Sequence, residues 1–144
     1  MPRLLRILTF TLLVLGLAHT SIAADEGFKV IVNAANPMDV VDRDVLRDAY
    51  LKKTAAWKSG TTIHPIDLVR KFPARDQFTE HVVGKTPTQL KKYWAQQIFS
   101  GKGVPPPEVD SVDKVIEYVV ANKGAVGYVP ASADPGKAKV IKVR

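Results

Sequence analysis

Ser111-Val112-Asp113-Lys114-Val115-Ile116-Glu117-Tyr118-Val119-Val120-Ala121-Asn122-Lys123-Gly124-Ala125-Val126-Gly127-Tyr128-Val129 decides the fold. Asp110 or Ser111 supplies a helix N-cap, and Val112, Val115, Ile116, Val119 and Val120 recur at the three-and-four spacing that lines one helical face. Asn122-Lys123-Gly124 stops that helix, and Ala125 to Val129 follows at once as an apolar strand. A helix that feeds directly into a buried strand is the repeating unit of an α/β layer structure.

The same alternation runs outward in both directions. Phe28 to Val32 is a β-branched strand, ended by Asn33-Ala34-Ala35-Asn36-Pro37, where Pro37 removes a donor and holds Asn36 extended. Asp42 reads as an N-cap, and Val45, Leu46, Ala49 and Tyr50 give an amphipathic helix over 43–52. Trp57 and Ser59-Gly60 mark a turn before a second strand, Thr61 to Asp67. Pro73 opens a helix with Ala74, Phe78 and Val82 four apart, and Gly84 is placed to stop it. Thr86-Pro87-Thr88-Gln89 is a capping box that starts a further helix with Leu90, Tyr93, Trp94 and Ile98 on one face, ended by Gly101. Pro105-Pro106-Pro107 is a stiff spacer, and Ala138 to Val143 is the closing strand. The expectation is a three-layer α/β domain with a largely covered sheet. Trp57, Tyr93, Trp94 and Phe99 are read as core, because their helical spacing suits burial better than a sugar-stacking platform.

Composition bounds the rest. The chain has 144 residues, 21 Lys+Arg, 14 Asp+Glu, 46% hydrophobic residues and no Cys, so it is one modest domain without disulfides, thiolate chemistry or Cys-based zinc sites. Arg3 and Arg6 precede the apolar run Ile7 to Leu17, and Ser21-Ile22-Ala23 places small residues before a cleavage point. Residues 1–23 thus read as a secretory signal peptide, too short for a span of roughly 20 apolar residues, and residues 24–144 as the exported domain, in the periplasm or otherwise outside the cytoplasm. That domain keeps 19 basic and 14 acidic side chains, a formal charge of +5. Its lysines are scattered, and export argues against a nucleic-acid partner, whereas a small anion suits the charge.

Several motifs fail their own chemistry. Gly84-Lys85-Thr86 ends like a phosphate loop, but the required earlier glycine would fall at Thr79. Val32-Asn33-Ala34-Ala35-Asn36 resembles a macro-domain segment, yet Pro37-Met38-Asp39-Val40-Val41 follows where glycines must let amides approach a diphosphate. His64 and His81 lack further ligands at metal spacing, so no metal and no cofactor is expected. No Gly-x-Ser-x-Gly elbow occurs, and His64 and Asp67 are read as surface residues, so the expectation is a protein that is not an enzyme.

A set of pieces in order carries a family resemblance. Asn36-Pro37, Asp44-Val45-Leu46, Ala49-Tyr50-Leu51, Lys53, Trp57, Gly60, Pro65, Arg75-Asp76-Gln77-Phe78, Tyr93-Trp94, Phe99-Ser100-Gly101 and Gly124-Ala125-Val126-Gly127-Tyr128-Val129 span nearly the whole exported part. Together they resemble the phosphate-binding proteins of ABC importers, and specifically one lobe of a two-lobed, type 2 periplasmic binding protein. The resemblance implies binding of phosphate or another small oxyanion in connection with ABC-type uptake, with an ABC permease or another envelope protein as partner.

That family carries an Arg followed by Gly-Ser-Gly-Thr. Here the matching stretch is Arg70-Lys71-Phe72-Pro73-Ala74-Arg75, in which the hydroxyls are missing. Arg70, Lys71 and Arg75 are the expected anion contacts, because Arg forks and the positive end of a helix starting near Pro73 favour negative charge. A single lobe offers half of a cleft, which a homodimer would complete. The alternative reading is a non-catalytic envelope interaction module that has lost ligand binding.

Overall fold

In the computed structural model, residues 27–144 are described, and the signal-peptide expectation for residues 1–23 lies outside them. Seven strands and four α-helices follow in the order β1 (Phe28–Val32), β2 (Val40–Val41), α1 (Arg43–Tyr50), β3 (His64–Pro65), β4 (Asp67–Leu68), α2 (Pro73–Phe78), α3 (Pro87–Phe99), β5 (Glu108–Val109), α4 (Val112–Ala121), β6 (Ala125–Pro130) and β7 (Lys139–Val143). A π-helical turn, Thr79–Val83, prolongs α2 until Gly84 ends it at φ +69°.

The main sheet has the order β2-β7-β1-β6-β3. Its centre is antiparallel, β1 pairing with β6 and β7, while β2 and β3 join the edges in parallel. Phe28, Val30 and Val32 face one side together with Tyr128 and Val126, their register partners or neighbours on β6. On that side Phe78 stacks on Tyr128 at 4.1 Å and 8°, and Tyr50 and Phe28 close around the pair. The opposite face of β6 carries Gly127, where an added Cβ would lie 2.7 Å from Val115 and 3.3 Å from Val119 of α4. Helices therefore cover both faces of the sheet, giving three layers.

A side-chain N-cap bond forms on two of the four α-helices, α3 and α4. Thr86 and Gln89 form the reciprocal box on α3, Pro87 sits at its first turn, and Ser111 rather than Asp110 accepts from the Lys114 amide on α4. Asp42 occupies the N-cap of α1 without bonding its amides; its carboxylate instead takes a hydrogen bond from Arg144 Nε at 2.6 Å. At the other end of α4, the buried Asn33 amide donates to Val119 O and Val120 O at 2.9 Å each, satisfying carbonyls that the helix itself leaves open. Asn33 is thus a helix C-cap.

Two expectations are corrected here. The strand expected over Thr61 to Asp67 is broken: His64–Pro65 joins the main sheet, Asp67–Leu68 pairs with β5 in a separate two-stranded sheet, and only Ile66 lies between. On α3, Trp94 is buried, but Ile98 and Phe99 stand in solvent, Phe99 with 95% of its surface exposed. Their spacing matched the apolar face, yet α3 projects past the core after its second turn.

Candidate functional site

Strands β4 and β5 run parallel with Asp67 opposite Glu108, so two carboxylates begin side by side. Like charges across a strand pair destabilise it unless a cation intervenes. Arg75, in the first turn of α2, is that cation. Its Nη1 lies 3.0 Å from Asp67 Oδ2 and 3.0 Å from Glu108 Oε1, and donates to the Leu68 carbonyl. Pro73 at the helix start sets α2 so that this third residue turns inward.

Asp67 is held from the sheet side as well. The Tyr128 hydroxyl donates to Oδ1, and the Leu68 amide reaches the same oxygen at 3.0 Å. Burial pushes the Asp67 carboxyl up to about 6, with Arg75 and the Tyr128 hydroxyl opposing the rise. Burial, then the Asp67 charge, pushes the Tyr128 phenol above its ordinary range; burial does the same to Tyr50, whose hydroxyl donates to Ile66 O at 2.8 Å. For Arg75, burial works against the charge, but Asp67, Tyr128 and Glu108 outweigh it and raise its affinity for the proton. The guanidinium stays charged and fixed.

This network forms one wall of an open cleft of about 480 Å³ between α2 and α3. Arg70, Arg75, Asp76 and Thr79 line it from the α2 side, Thr88, Lys91 and Trp94 from α3, and Pro105 and Glu108 from below. Every side-chain hydrogen bond that Arg75 makes to the described residues runs through Nη1. About a tenth of the Arg75 side chain is exposed, and the residue lines the cleft. The guanidinium is thus clamped through Nη1 in the cleft wall.

The structure brings Arg70 and Arg75 to the same cleft. Arg70 is exposed, with Nε 3.9 Å from Asp76 Oδ1. Lys71 does not line the cleft; its Nζ lies over the Phe72 ring, 5.1 Å from the centroid. Asp67, read as a surface residue, is buried at 7% exposure, because its strand leaves the sheet edge and runs under α2. Sequence reasoning missed Thr88, Lys91, Asp67 and Glu108 as parts of one site. Thr88 and Lys91 are three apart on a helix, and that shared face was the available signal. Among the described residues no three His, Asp or Glu side chains gather at metal-binding distance.

No family model matches the chain, and no curated protein matches it in sequence. Solved structures do match. An ABC-type phosphate transport receptor from Vibrio cholerae is similar at TM-score 0.60 and 23% identity, over 81% of this chain and 46% of that one. A putative phosphate ABC transporter substrate-binding protein with bound phosphate from Clostridium perfringens is similar at 0.63 and 22%, over 81% and 44%. PstS from Borrelia burgdorferi is similar at 0.62 and 12%, over 82% and 47%. The chain has the α/β fold of phosphate-type substrate-binding proteins, and it spans less than half of their length.

Proposed function

We propose that the chain is an exported, non-enzymatic solute-binding domain that takes a small oxyanion, phosphate or one of similar shape, in the cleft between α2 and α3, in connection with ABC-type uptake. The observation that carries this reading is the posture of Arg75. A guanidinium held through Nη1 by Asp67, Glu108 and Leu68 O, in the wall of the cleft, is a charged donor fixed in place before an anion arrives. Arg70 and Lys91 add charge from the two walls, and the Thr88 hydroxyl supplies a donor. Lys71, which lies over the Phe72 ring and off the cleft, acts only through its long-range field. Support for the phosphate class comes from the names of the similar structures, one of which holds phosphate. Export rests on the layout of residues 1–23.

One observation favours a second reading. Asp76 and Glu108 share the lining with the cations and offset much of their charge. A wall of alternating signs also suits docking to an envelope protein, without any solute. Calorimetric titration with phosphate, sulfate and small carboxylates separates the two. Solute binding predicts heat with phosphate at millimolar concentration or below, weakened at least about tenfold by Arg70→Ala; absence of heat and of thermal stabilisation with every anion contradicts it.

A further inference from the structure

We infer that the C-terminal tip of α3 is a docking site for the surface of an anionic lipid bilayer. The three most exposed large apolar side chains among the described residues are Phe99 at 95%, Val104 at 63% and Ile98 at 55%, and all fall within seven positions. Their exposure is built in. Gly101 turns the chain at φ +68°, its amide bonds Ile98 O at 3.1 Å, and the Lys102 amide bonds Gln97 O at 2.9 Å, which closes the helix and fixes Phe99 outward. Large apolar side chains held in water this close in sequence mark a contact surface.

Charge selects the partner. From His81 to Pro107 the sequence holds four lysines and no Asp or Glu; Lys102 follows the tip, Lys92 stands on α3 before it, and both are exposed. A second copy of this chain is disfavoured, since a two-fold contact there would set these lysines against their own images. The occupant must be negative. With 95% of Phe99 in water, the side chain stands out from the surface and suits a deformable partner better than a protein pocket of fixed shape. Lys92 precedes Phe99 by two helical turns, about 10 Å along the axis. That spacing puts the ammonium at the level of lipid phosphates when the aromatic ring sits in the boundary between headgroups and acyl chains.

The absence of cysteine makes the test specific. Ser100→Cys in the full chain carries one environment-sensitive fluorophore next to Phe99, and Ser59→Cys, in the exposed loop before β3, serves as the reference. Vesicles of three parts phosphatidylcholine to one part phosphatidylglycerol should raise emission several-fold at position 100 with a blue shift, and leave position 59 unchanged. Phe99→Ser should weaken this response about tenfold or more, Lys92→Glu with Lys102→Glu should abolish it, and high salt should reduce it, with unfolding midpoints unaltered. No response to these vesicles overturns the inference. So does a response equal at both positions, equal with pure phosphatidylcholine, or insensitive to Phe99→Ser, and so does a response at position 100 that only an acidic protein elicits.

Discussion

Arg75 Nη1 and Asp67 Oδ2 lie 3.0 Å apart where α2 crosses β4, and the same nitrogen is 3.0 Å from Glu108. The guanidinium is the only cation placed between those two carboxylates among the described residues. Arg75→Met should destabilise the fold by about 3–5 kcal/mol, because it leaves the buried Asp67 unpaired beside Glu108. Arg70→Ala, which loses an exposed contact at 3.9 Å, should stay within about 0.5 kcal/mol of the parent. Urea denaturation measures both, and equal effects would contradict the division between a clamped and a free arginine.

The raised Asp67 carboxyl makes stability depend on pH. Its folded value, about 6, exceeds the ordinary 3.8, so between those values the native state binds the proton more tightly than the unfolded chain. The contribution is complete below about pH 4 and is lost as pH rises through 6. Asp67→Asn cannot titrate. Relative to that variant, the parent should lose about 3 kcal/mol between pH 4 and pH 7, at roughly 1.4 kcal/mol per unit. Parallel stability curves for the two proteins would refute the assignment.

The two ends of α3 should respond oppositely to truncation. Trp94 is buried against Tyr93 and the cleft wall, and Trp94→Ala should cost about 3–5 kcal/mol. Phe99→Ala should change stability by no more than about 0.5 kcal/mol, since nearly all of its ring is in water. A large loss at Phe99 in thermal unfolding would mean that the tip is covered.

Gly124 is required by its neighbours. A Cβ there would lie 1.7 Å from Thr62 O, and the Gly124 carbonyl also accepts from Trp57 Nε1 at 3.0 Å and from the His64 amide at 3.0 Å. Gly124→Ala should cost about 1–3 kcal/mol or more, because a backbone atom cannot step aside as a side chain does. Denaturant midpoints equal to the parent would show that this turn moves freely.

What was legible in the sequence is what local chemistry decides. Thr86 with Gln89, Ser111 with Lys114, and Gly84 and Gly101 after their helices mark element ends through groups a few residues apart, and the structure keeps each of them. The break at Ile66 was hidden because it depends on which distant strand claims each half, Ala125 and Val126 on one side and Glu108 on the other. Asp67 was misread for the same reason. Its partners Arg75, Glu108 and Tyr128 lie 8, 41 and 61 positions away, and nothing in the spacing of His64 and Asp67 announces them. Phe99 was misread because periodicity reports which face a residue is on and not where the neighbouring layer ends.

The most direct test of the account is to follow backbone and Arg side-chain resonances while phosphate is added. Saturable shifts confined to Arg70, the Arg75 Nε group, Thr88 and Lys91 are the predicted result. Shifts elsewhere on the surface, or none at millimolar phosphate, would contradict it.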